Sequence, residues 1–284
     1  MFKVGLSGCG FDLTEQNFAA LQESGIEAVE ISMDAAKYPF INYQQVKELS
    51  RRYGIALWSY HLPFMPFELI DVAGLDAAVR DYTVSYYSEL ISKAADVGVN
   101  KFVVHPSAEP VGDAEREERT LCAMDTLDRL AEHAGRHGAV IAVEDLPRTC
   151  LGNSIAEVRR LLSANSKLRI CLDTNHLLGD SNIEFIKQLG DKIVTVHVSD
   201  YDFVNERHWL PGEGKINWTE LAEALTAAGY SGVWMYELGL TCPKTLLARR
   251  DLTFGDFYEN AMDIFAGKPL RVFSTPKEKL GMWE

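Results

Sequence analysis

Short apolar runs and longer amphipathic stretches alternate along this chain from its start to about residue 266. The apolar runs are rich in β-branched side chains, which is typical of buried strands. The stretches between them carry apolar residues at helical spacing. The pattern predicts eight strands, at 3–8, 28–33, 55–60, 101–105, 140–144, 169–173, 192–198 and 232–237, and eight helices, at 14–24, 43–53, 75–97, 116–137, 154–164, 182–189, 217–228 and about 255–266.

Residues at the ends of the predicted helices support these boundaries. Short polar residues, whose side-chain oxygens can accept hydrogen bonds from free backbone amides, precede four of the helices: Thr14, Asn42, Ser154 and Asn217. Glycine, which readily ends a helix in a left-handed conformation, follows five of them: Gly25, Gly54, Gly98, Gly138 and Gly229. The helix ends and the apolar pattern therefore agree.

Strict alternation of strand and helix implies parallel pairing, and eight strand–helix units are the number that closes a barrel. We therefore predict a single (β/α)8 TIM barrel over residues 1–267. The tail, residues 268–284, is expected to pack on the barrel or on a neighbouring subunit of a homo-oligomer. The structural alternative is an open doubly wound sheet, but the glycine-rich segment GLSGCG at residues 5–10 lacks the G-x-G-x-x-G spacing of that fold.

Lone polar residues close four of the apolar runs: Glu144, Asp173, His197 and Glu237. The carboxyl ends of all strands of a barrel surround one mouth, so these four side chains should converge. Three carboxylates buried together would repel one another unless they were protonated, paired with cations or bound to a metal. The set predicts an active site with one divalent ion, for which we expect Mn²⁺, with Zn²⁺, Co²⁺ or Mg²⁺ as alternatives.

Other polar residues fall on the same predicted face. Glu30 and Ser32 close the second strand, and four histidines lie at or after later strands: His61, His105, His176 and His208. Side chains alternate across a strand, so only one of Glu144 and Asp145 can point inward. The other should meet a helix terminus or a basic partner.

Two loops near the mouth are candidates for substrate contact. The segment from Asp200 to Trp218 is longer than the usual two to six residues of such a connection, and excess length of this kind tends to be functional. Within it, Arg207 could bind substrate oxygens or pair with Glu206 or Asp202. Residues 62–69, LPFMPFEL, supply apolar surface that suits a lid, ordinary packing or an oligomer contact.

Composition excludes several classes of protein. The net charge is −13, which argues against a nucleic-acid partner, since such binding depends on clustered lysine and arginine. Five widely spaced cysteines without a Cys-x-x-Cys pair suit reduced thiols better than a disulfide framework. The sequence contains no apolar stretch approaching about 18 residues and no signal peptide, so we expect a cytoplasmic protein that binds no membrane.

At this point the chain resembles the xylose-isomerase-like barrel superfamily of sugar isomerases and epimerases, which also includes the AP-site endonucleases. The resemblance covers about residues 3–266 and rests on VEDLP, LDTNH, VHVSDYD, NERHWLPGEGKINW and the terminal YEL. It implies that Glu144, Asp173, His197 and Glu237 bind one Mn²⁺-like ion. It further implies that His176 and Arg207 touch substrate hydroxyls.

The endonuclease branch binds a zinc cluster, and the chain looks similar to it at eight positions: His61, His105, Glu144, Asp173, His176, His197, His208 and Glu237. It departs at Glu206, where that branch has Asp in an Asp-Arg-His triplet. This departure and the acidic net charge favour the sugar branch. The residues that we assign to substrate binding are His61, His105, His176, Glu206, Arg207 and His208.

The leading hypothesis is therefore a divalent-metal-dependent isomerase or epimerase that acts on a sugar or sugar phosphate. An enediolate would form as Glu144 and Glu237, on opposite faces of the reacting carbon, remove and return its proton. Three alternatives remain: a multi-zinc AP-site endonuclease, a polyol dehydratase of the same superfamily, and a sugar-binding barrel without turnover.

Overall fold

Eight parallel strands and eight α-helices alternate in the computed structural model, which describes residues 1–281. The strands are β1 (Lys3–Ser7), β2 (Ala28–Ile31), β3 (Ala56–His61), β4 (Lys101–Val104), β5 (Val140–Glu144), β6 (Arg169–Asp173), β7 (Ile193–His197) and β8 (Val233–Tyr236). The α-helices are α1 (Glu15–Glu23), α2 (Tyr43–Tyr53), α3 (Ala77–Ala95), α4 (Arg116–Arg136), α5 (Ile155–Leu162), α6 (Asn182–Leu189), α7 (Trp218–Ala227) and α8 (Phe254–Phe265). Short 3-10 helices lie at Gly8–Gly10, Ala35–Phe40 and Gly190–Lys192.

The strands form a ring. The sheet runs in the order β7-β6-β5-β4-β3-β2-β1-β8, and a parallel bridge between Val198 and Tyr236 joins its two edges. At this junction the Val198 amide donates to the Met235 carbonyl over 2.8 Å, and the Glu237 amide donates to the Val198 carbonyl over 3.2 Å. The closed ring confirms the predicted (β/α)8 barrel and excludes the doubly wound alternative.

Local sequence signals account for the helix ends. Each predicted cap accepts a hydrogen bond from the backbone amide three residues later, as Thr14 does from Asn17 and Asn217 from Glu220. All five predicted helix-ending glycines have φ between +66° and +104°, which side chains with a Cβ rarely adopt. Every predicted strand and helix is present, with its ends displaced by at most two residues.

Apolar side chains fill the barrel below its mouth. Val103, Ala142 and Cys171 form one small buried cluster. Trp58 packs against a second cluster and donates its indole N–H to the Thr195 hydroxyl over 3.2 Å. This packing closes the amino-terminal end of the barrel, so the polar residues at the strand ends face the opposite end.

The segment after α8 packs on the loops that follow β7 and β8. Leu246 and Pro276 form an antiparallel bridge, the Lys277 amide donates to the Thr245 carbonyl over 3.0 Å, and Arg207 donates to the Gly281 carbonyl over 2.8 Å. The predicted tail also includes residues 282–284, which lie outside the described residues, and its contact with a neighbouring subunit stays a prediction. Between residues 1 and 281, no helix has the length and apolar character needed to cross a bilayer.

Candidate metal centre and active site

The four side chains that end consecutive strands meet at the centre of the mouth. Glu144 ends β5, Asp173 ends β6, His197 ends β7, and Glu237 follows β8 directly. Each offers a ligand atom, and these atoms all lie within 4.8 Å of one another. Parallel strands bring their carboxyl ends to one edge, which is why residues distant in sequence converge here.

Buried carboxylate oxygens in this cluster are suited to binding a cation. Asp173 Oδ2 is buried and accepts no hydrogen bond from residues 1–281, and Glu144 Oε2 is buried with two imidazole nitrogens 3.2 Å away. A buried carboxylate oxygen without a donor is costly, and a bound cation removes that cost. Three carboxylates and one imidazole are also a chemically suitable donor set for Mn²⁺, Co²⁺, Mg²⁺ or Zn²⁺. The residues present therefore fit a divalent ion.

Carboxylates hold His197 from both sides of its ring. Nδ1 lies 2.9 Å from Glu144 Oε1 and 3.2 Å from Glu237 Oε2, within the cluster. Nε2 lies 3.0 Å from Glu30 Oε2 on the side away from it. Glu30 in turn accepts hydrogen bonds from the hydroxyls of Ser7 and Ser59, each over 2.8 Å. Glu30 thus orients a candidate metal ligand, as carboxylates behind metal-binding histidines do.

Mutual repulsion and burial perturb the titration of these groups. Burial raises the pKa of Asp173 well above its usual value, and the nearby charges of Glu237 and Glu144 raise it further. For Glu237, burial acts in the same direction but the His197 imidazolium outweighs it and lowers the pKa. The pKa of His197 would fall on burial alone, yet the surrounding carboxylates hold it well above the ordinary value. Such opposed shifts in one cluster are typical of functional sites.

Two further groups flank the central cluster. The Nε2 atoms of His61 and His105 each lie 3.2 Å from Glu144 Oε2. On the other side, His176 Nε2 lies 3.2 Å from Glu206 Oε2, and His208 completes a triad with them. Both triads have ligand atoms close enough together to hold a metal ion.

Backbone carbonyls orient three of these histidines. His61 Nδ1 lies 2.9 Å from the Leu62 carbonyl, His176 Nδ1 lies 2.8 Å from the Asp145 carbonyl, and His208 Nδ1 lies 3.1 Å from the Glu237 carbonyl. A carbonyl accepts only, so Nδ1 must carry the proton in each ring. Nε2 is then the nitrogen that faces the site. In His61 and His176 it lies 3.2 Å from a carboxylate oxygen of Glu144 and Glu206, and these carboxylates raise the pKa of both rings against the effect of burial.

Asp145 differs from the expectation. It is fully buried behind the cluster, and its Oδ1 accepts a hydrogen bond from the Asp173 backbone amide over 2.8 Å, rather than meeting a helix terminus or a cation. Burial raises its pKa to about 7. The expectation was wrong because a neighbouring strand can supply a backbone donor, which the alternation of side chains along one strand does not reveal.

The two residues of the Glu206–Arg207 pair point in different directions. Glu206 lines a cavity above the metal cluster and lies 2.9 Å from the Arg148 guanidinium. Arg207 is buried, donates from Nε to Asp202 over 3.0 Å, and lies outside the set of cavity-lining residues. Its predicted contact with substrate hydroxyls therefore stays a prediction, and the structure shows the pairing with Asp202 that was its alternative.

Sequence reasoning did not identify Arg148 as a site residue. Its backbone has φ of +52°, and its side chain donates two hydrogen bonds to Glu109, over 2.9 and 2.7 Å. Arg148 follows the VEDLP motif directly, so proximity to that motif is the one signal that could have identified it.

A cavity of about 600 Å³ opens above the metal cluster. Glu237 lines this cavity with 12% of its side chain exposed. The other three members of the cluster, Glu144, Asp173 and His197, are fully buried and do not line it. His61, His105, His176 and His208 also line the cavity. Phe64 and Met65, from the apolar segment predicted as lid, packing or oligomer contact, are cavity residues too. A cavity of this volume suits a small organic ligand.

One known protein family matches most of this chain. The family model described as xylose isomerase-like TIM barrel matches residues 18–255. The chain belongs to this family. Among solved structures, this xylose isomerase-like barrel is similar to a D-tagatose 3-epimerase-like protein, with a TM-score of 0.79 and 24% identity over 93% of this chain and 97% of the other. At this identity the likeness shows the fold.

Sequence relatives of this xylose isomerase-like barrel carry different names. An uncharacterized protein of Methanocaldococcus jannaschii is 27% identical over 81% of this chain and 82% of its own length. A fructoselysine 3-epimerase of Escherichia coli O157:H7 is 27% identical over 40% of this chain and 44% of its own length. A probable endonuclease 4 of Acholeplasma laidlawii is 23% identical over 58% of this chain and 61% of its own length.

Proposed function

We propose that this protein is a divalent-metal-dependent sugar epimerase or isomerase. The observation that carries the proposal is the buried cluster of three carboxylates and one imidazole at the floor of a cavity of about 600 Å³. The epimerase names of a sequence relative and of a structural neighbour support a sugar as the substrate class.

Glu144, Asp173, His197 and Glu237 would hold the ion. When bound, it would stabilise negative charge that develops on a substrate carbonyl oxygen as the neighbouring carbon loses its proton. Glu237 presents a carboxylate at the cavity surface, where it can take a proton from one face of that carbon. Glu144, the other glutamate of the cluster, would return a proton on the other face.

The remaining polar groups would position the sugar. With Nδ1 bonded to a backbone carbonyl, His61, His176 and His208 would each use Nε2 for hydrogen bonds with substrate hydroxyls. Rings fixed in this way lose little freedom on binding, so they favour one orientation of the substrate.

Deuterium exchange tests the two-base mechanism. The protein is loaded with Mn²⁺ and incubated in D₂O with a panel of ketohexoses and keto-glucosides, and incorporation at carbon is followed by NMR. Glu144→Gln and Glu237→Gln should each abolish incorporation while the protein stays folded. Metal content is measured for each variant, because both residues are also candidate ligands. Glu27→Gln, an exposed glutamate just before β2, serves as the matched control. Exchange at the wild-type rate in both site variants would end the two-base hypothesis.

A second candidate function is phosphodiester cleavage at abasic sites in DNA. The two triads that flank the central cluster favour it, since together the three groups could hold up to three ions, and one sequence relative is named a probable endonuclease. The net charge of −13 opposes it. Elemental analysis separates the two candidates. Two or three zinc ions per chain with cleavage of an abasic duplex would support the endonuclease, and one ion with no cleavage would support the epimerase.

A further inference from the structure

We propose that the substrate is an uncharged keto-sugar that carries an apolar aryl or alkyl group, and that Phe64 and Met65 bind this group. The inference rests on the proposed function, which it deepens by naming the substrate class. It follows from the position of the apolar wall of the cavity, the volume above the metal cluster and the charges around it.

Phe64 and Met65 present apolar surface to the cavity. They line it with 39% and 48% of their surface exposed. One face of the Phe64 ring stacks on His105, with centroids 4.3 Å apart and an interplanar angle of 17°. Large exposed apolar side chains inside a cavity mark a ligand surface, because binding removes them from water. The wall also includes Met33, Pro63, Phe67, Leu146, Pro147 and Leu238.

The apolar wall is separated from the metal cluster by a single layer of histidine side chains. His105 contacts Glu144 at 3.2 Å through Nε2 and carries Phe64 on its ring face. His61, which also contacts Glu144, lies edge-on to Phe64 with a centroid distance of 5.7 Å. A sugar whose reacting carbon lies at Glu237 therefore has its polar hydroxyls among the imidazoles, and a substituent beyond them reaches Phe64.

The volume exceeds what a single sugar needs. The cavity of about 600 Å³ could hold about twenty water molecules at roughly 30 Å³ each. A hexose, with about twelve non-hydrogen atoms in a compact ring, fills only part of this volume. The apolar wall bounds part of the remaining space, and an apolar group attached to the sugar is complementary to that part.

The charges beyond the metal cluster disfavour a phosphorylated sugar. Asp34, Glu109 and Glu206 line the cavity, and within residues 1–281 Arg148 is the only lysine or arginine that does so. The Arg148 guanidinium already donates to both carboxylate oxygens of Glu109 and lies 2.9 Å from Glu206. A phosphate dianion in this part of the cavity would be repelled by the three carboxylates, and the one arginine there is already paired with two of them.

Matched glycosides test the assignment. For the Mn²⁺-loaded protein, deuterium incorporation is measured on the methyl and phenyl 3-keto-glucosides and on a keto-sugar phosphate. We expect kcat/KM for the phenyl compound to exceed that for the methyl compound by about tenfold or more, as burial of an aromatic group gives in an apolar pocket. We expect the phosphate to be the poorest substrate.

The ratio between the two glycosides is the readout for the variants. Phe64→Ala and Met65→Ala should each reduce the phenyl-to-methyl ratio by about threefold or more, and general damage to the site would lower both rates without changing the ratio. Leu69→Ala, at an exposed apolar residue of the same segment outside the cavity, should leave the ratio unchanged. Met65 is not the residue that stacks on His105, so Met65→Ala keeps the test interpretable if Phe64→Ala disturbs that ring.

Equilibrium binding separates this inference from the proposed function. Phenyl and methyl glucosides, which lack the reacting carbonyl, are titrated into the metal-loaded protein by calorimetry. Tighter binding of the phenyl compound, together with no exchange on any sugar, refutes the epimerase but supports the apolar-group site. Any of three results would overturn the inference. The two glycosides could bind and exchange equally, the phenyl-to-methyl ratio could stay unchanged in both variants, or the phosphate could be the preferred substrate.

Discussion

Glu30→Gln tests whether the carboxylate behind His197 contributes to metal binding. Glu30 is fully buried, and its Oε2 lies 3.0 Å from His197 Nε2. A carboxylate in this position fixes the imidazole orientation and makes the ring a better metal ligand. Glutamine keeps the length of the side chain but removes the charge, and one orientation of its amide places a donor against Nε2–H.

The structure sets the size of the effect. The substitution loses one hydrogen bond to a charged group, which is worth about 1.5–3 kcal/mol. At about 1.4 kcal/mol per tenfold change, this corresponds to a loss of about 10- to 100-fold in metal affinity. The serine hydroxyls that donate to Glu30 can rotate to meet the amide oxygen, so the fold should survive.

The assay is a competition titration of Mn²⁺ into the metal-free protein, with circular dichroism and thermal melting as checks of folding. Glu27→Gln makes the same substitution at an exposed position just before the same strand, and this variant should bind Mn²⁺ as the wild type does. If folded Glu30→Gln bound Mn²⁺ within about twofold of both, the orienting role would be refuted, since a lost charged hydrogen bond must cost more than that.

Two further predictions concern stability. Burial raises the pKa of Asp145 to about 7, so the folded metal-free protein holds a proton that the unfolded chain releases. Stability should therefore fall as pH rises from about 4 to 7, by about 1.4 kcal/mol per unit at most. Asp145→Asn should remove this part of the decline in urea titrations, and a variant whose pH profile matched the wild type would contradict it. Asp200 accepts four hydrogen bonds within the long loop after β7, among them from the Gly212 amide and the Trp218 indole, both over 2.8 Å. Asp200→Asn must place its amide nitrogen against donors, so we expect a loss of about 2–4 kcal/mol in unfolding free energy, and a loss below about 1 kcal/mol would refute this account.

Much of the architecture and the centre of the site could be predicted from the sequence. Periodicity identified each element, and the parallel topology then forced Glu144, Asp173, His197 and Glu237 to one mouth, because each ends a strand. The histidines that line the cavity were found by the same argument. Their roles as ligands, acids or substrate contacts remain predictions.

Features that depend on contacts between loops could not be predicted. Arg148 donates a hydrogen bond to Glu109, which lies in a loop 39 residues earlier in the chain. The spacing of apolar residues does not indicate which loops touch across the mouth. The direction of Arg207 depends on Asp202 and on the returning tail. The partner of Asp145 is a backbone amide on the adjacent strand, whose availability depends on register rather than on residue type.

Main-chain oxygens, rather than side chains, set the tilt of His61, His176 and His208. Point mutation replaces a side chain but leaves the peptide carbonyl in place, so these acceptors persist through amino-acid replacement as long as the barrel folds. Evolution could therefore exchange residues such as Phe64 and Met65 at the rim, and with them the compound recognised, without misaligning the imidazoles beneath. A scaffold organised in this way is well suited to diversify its ligands while keeping its reactive centre intact.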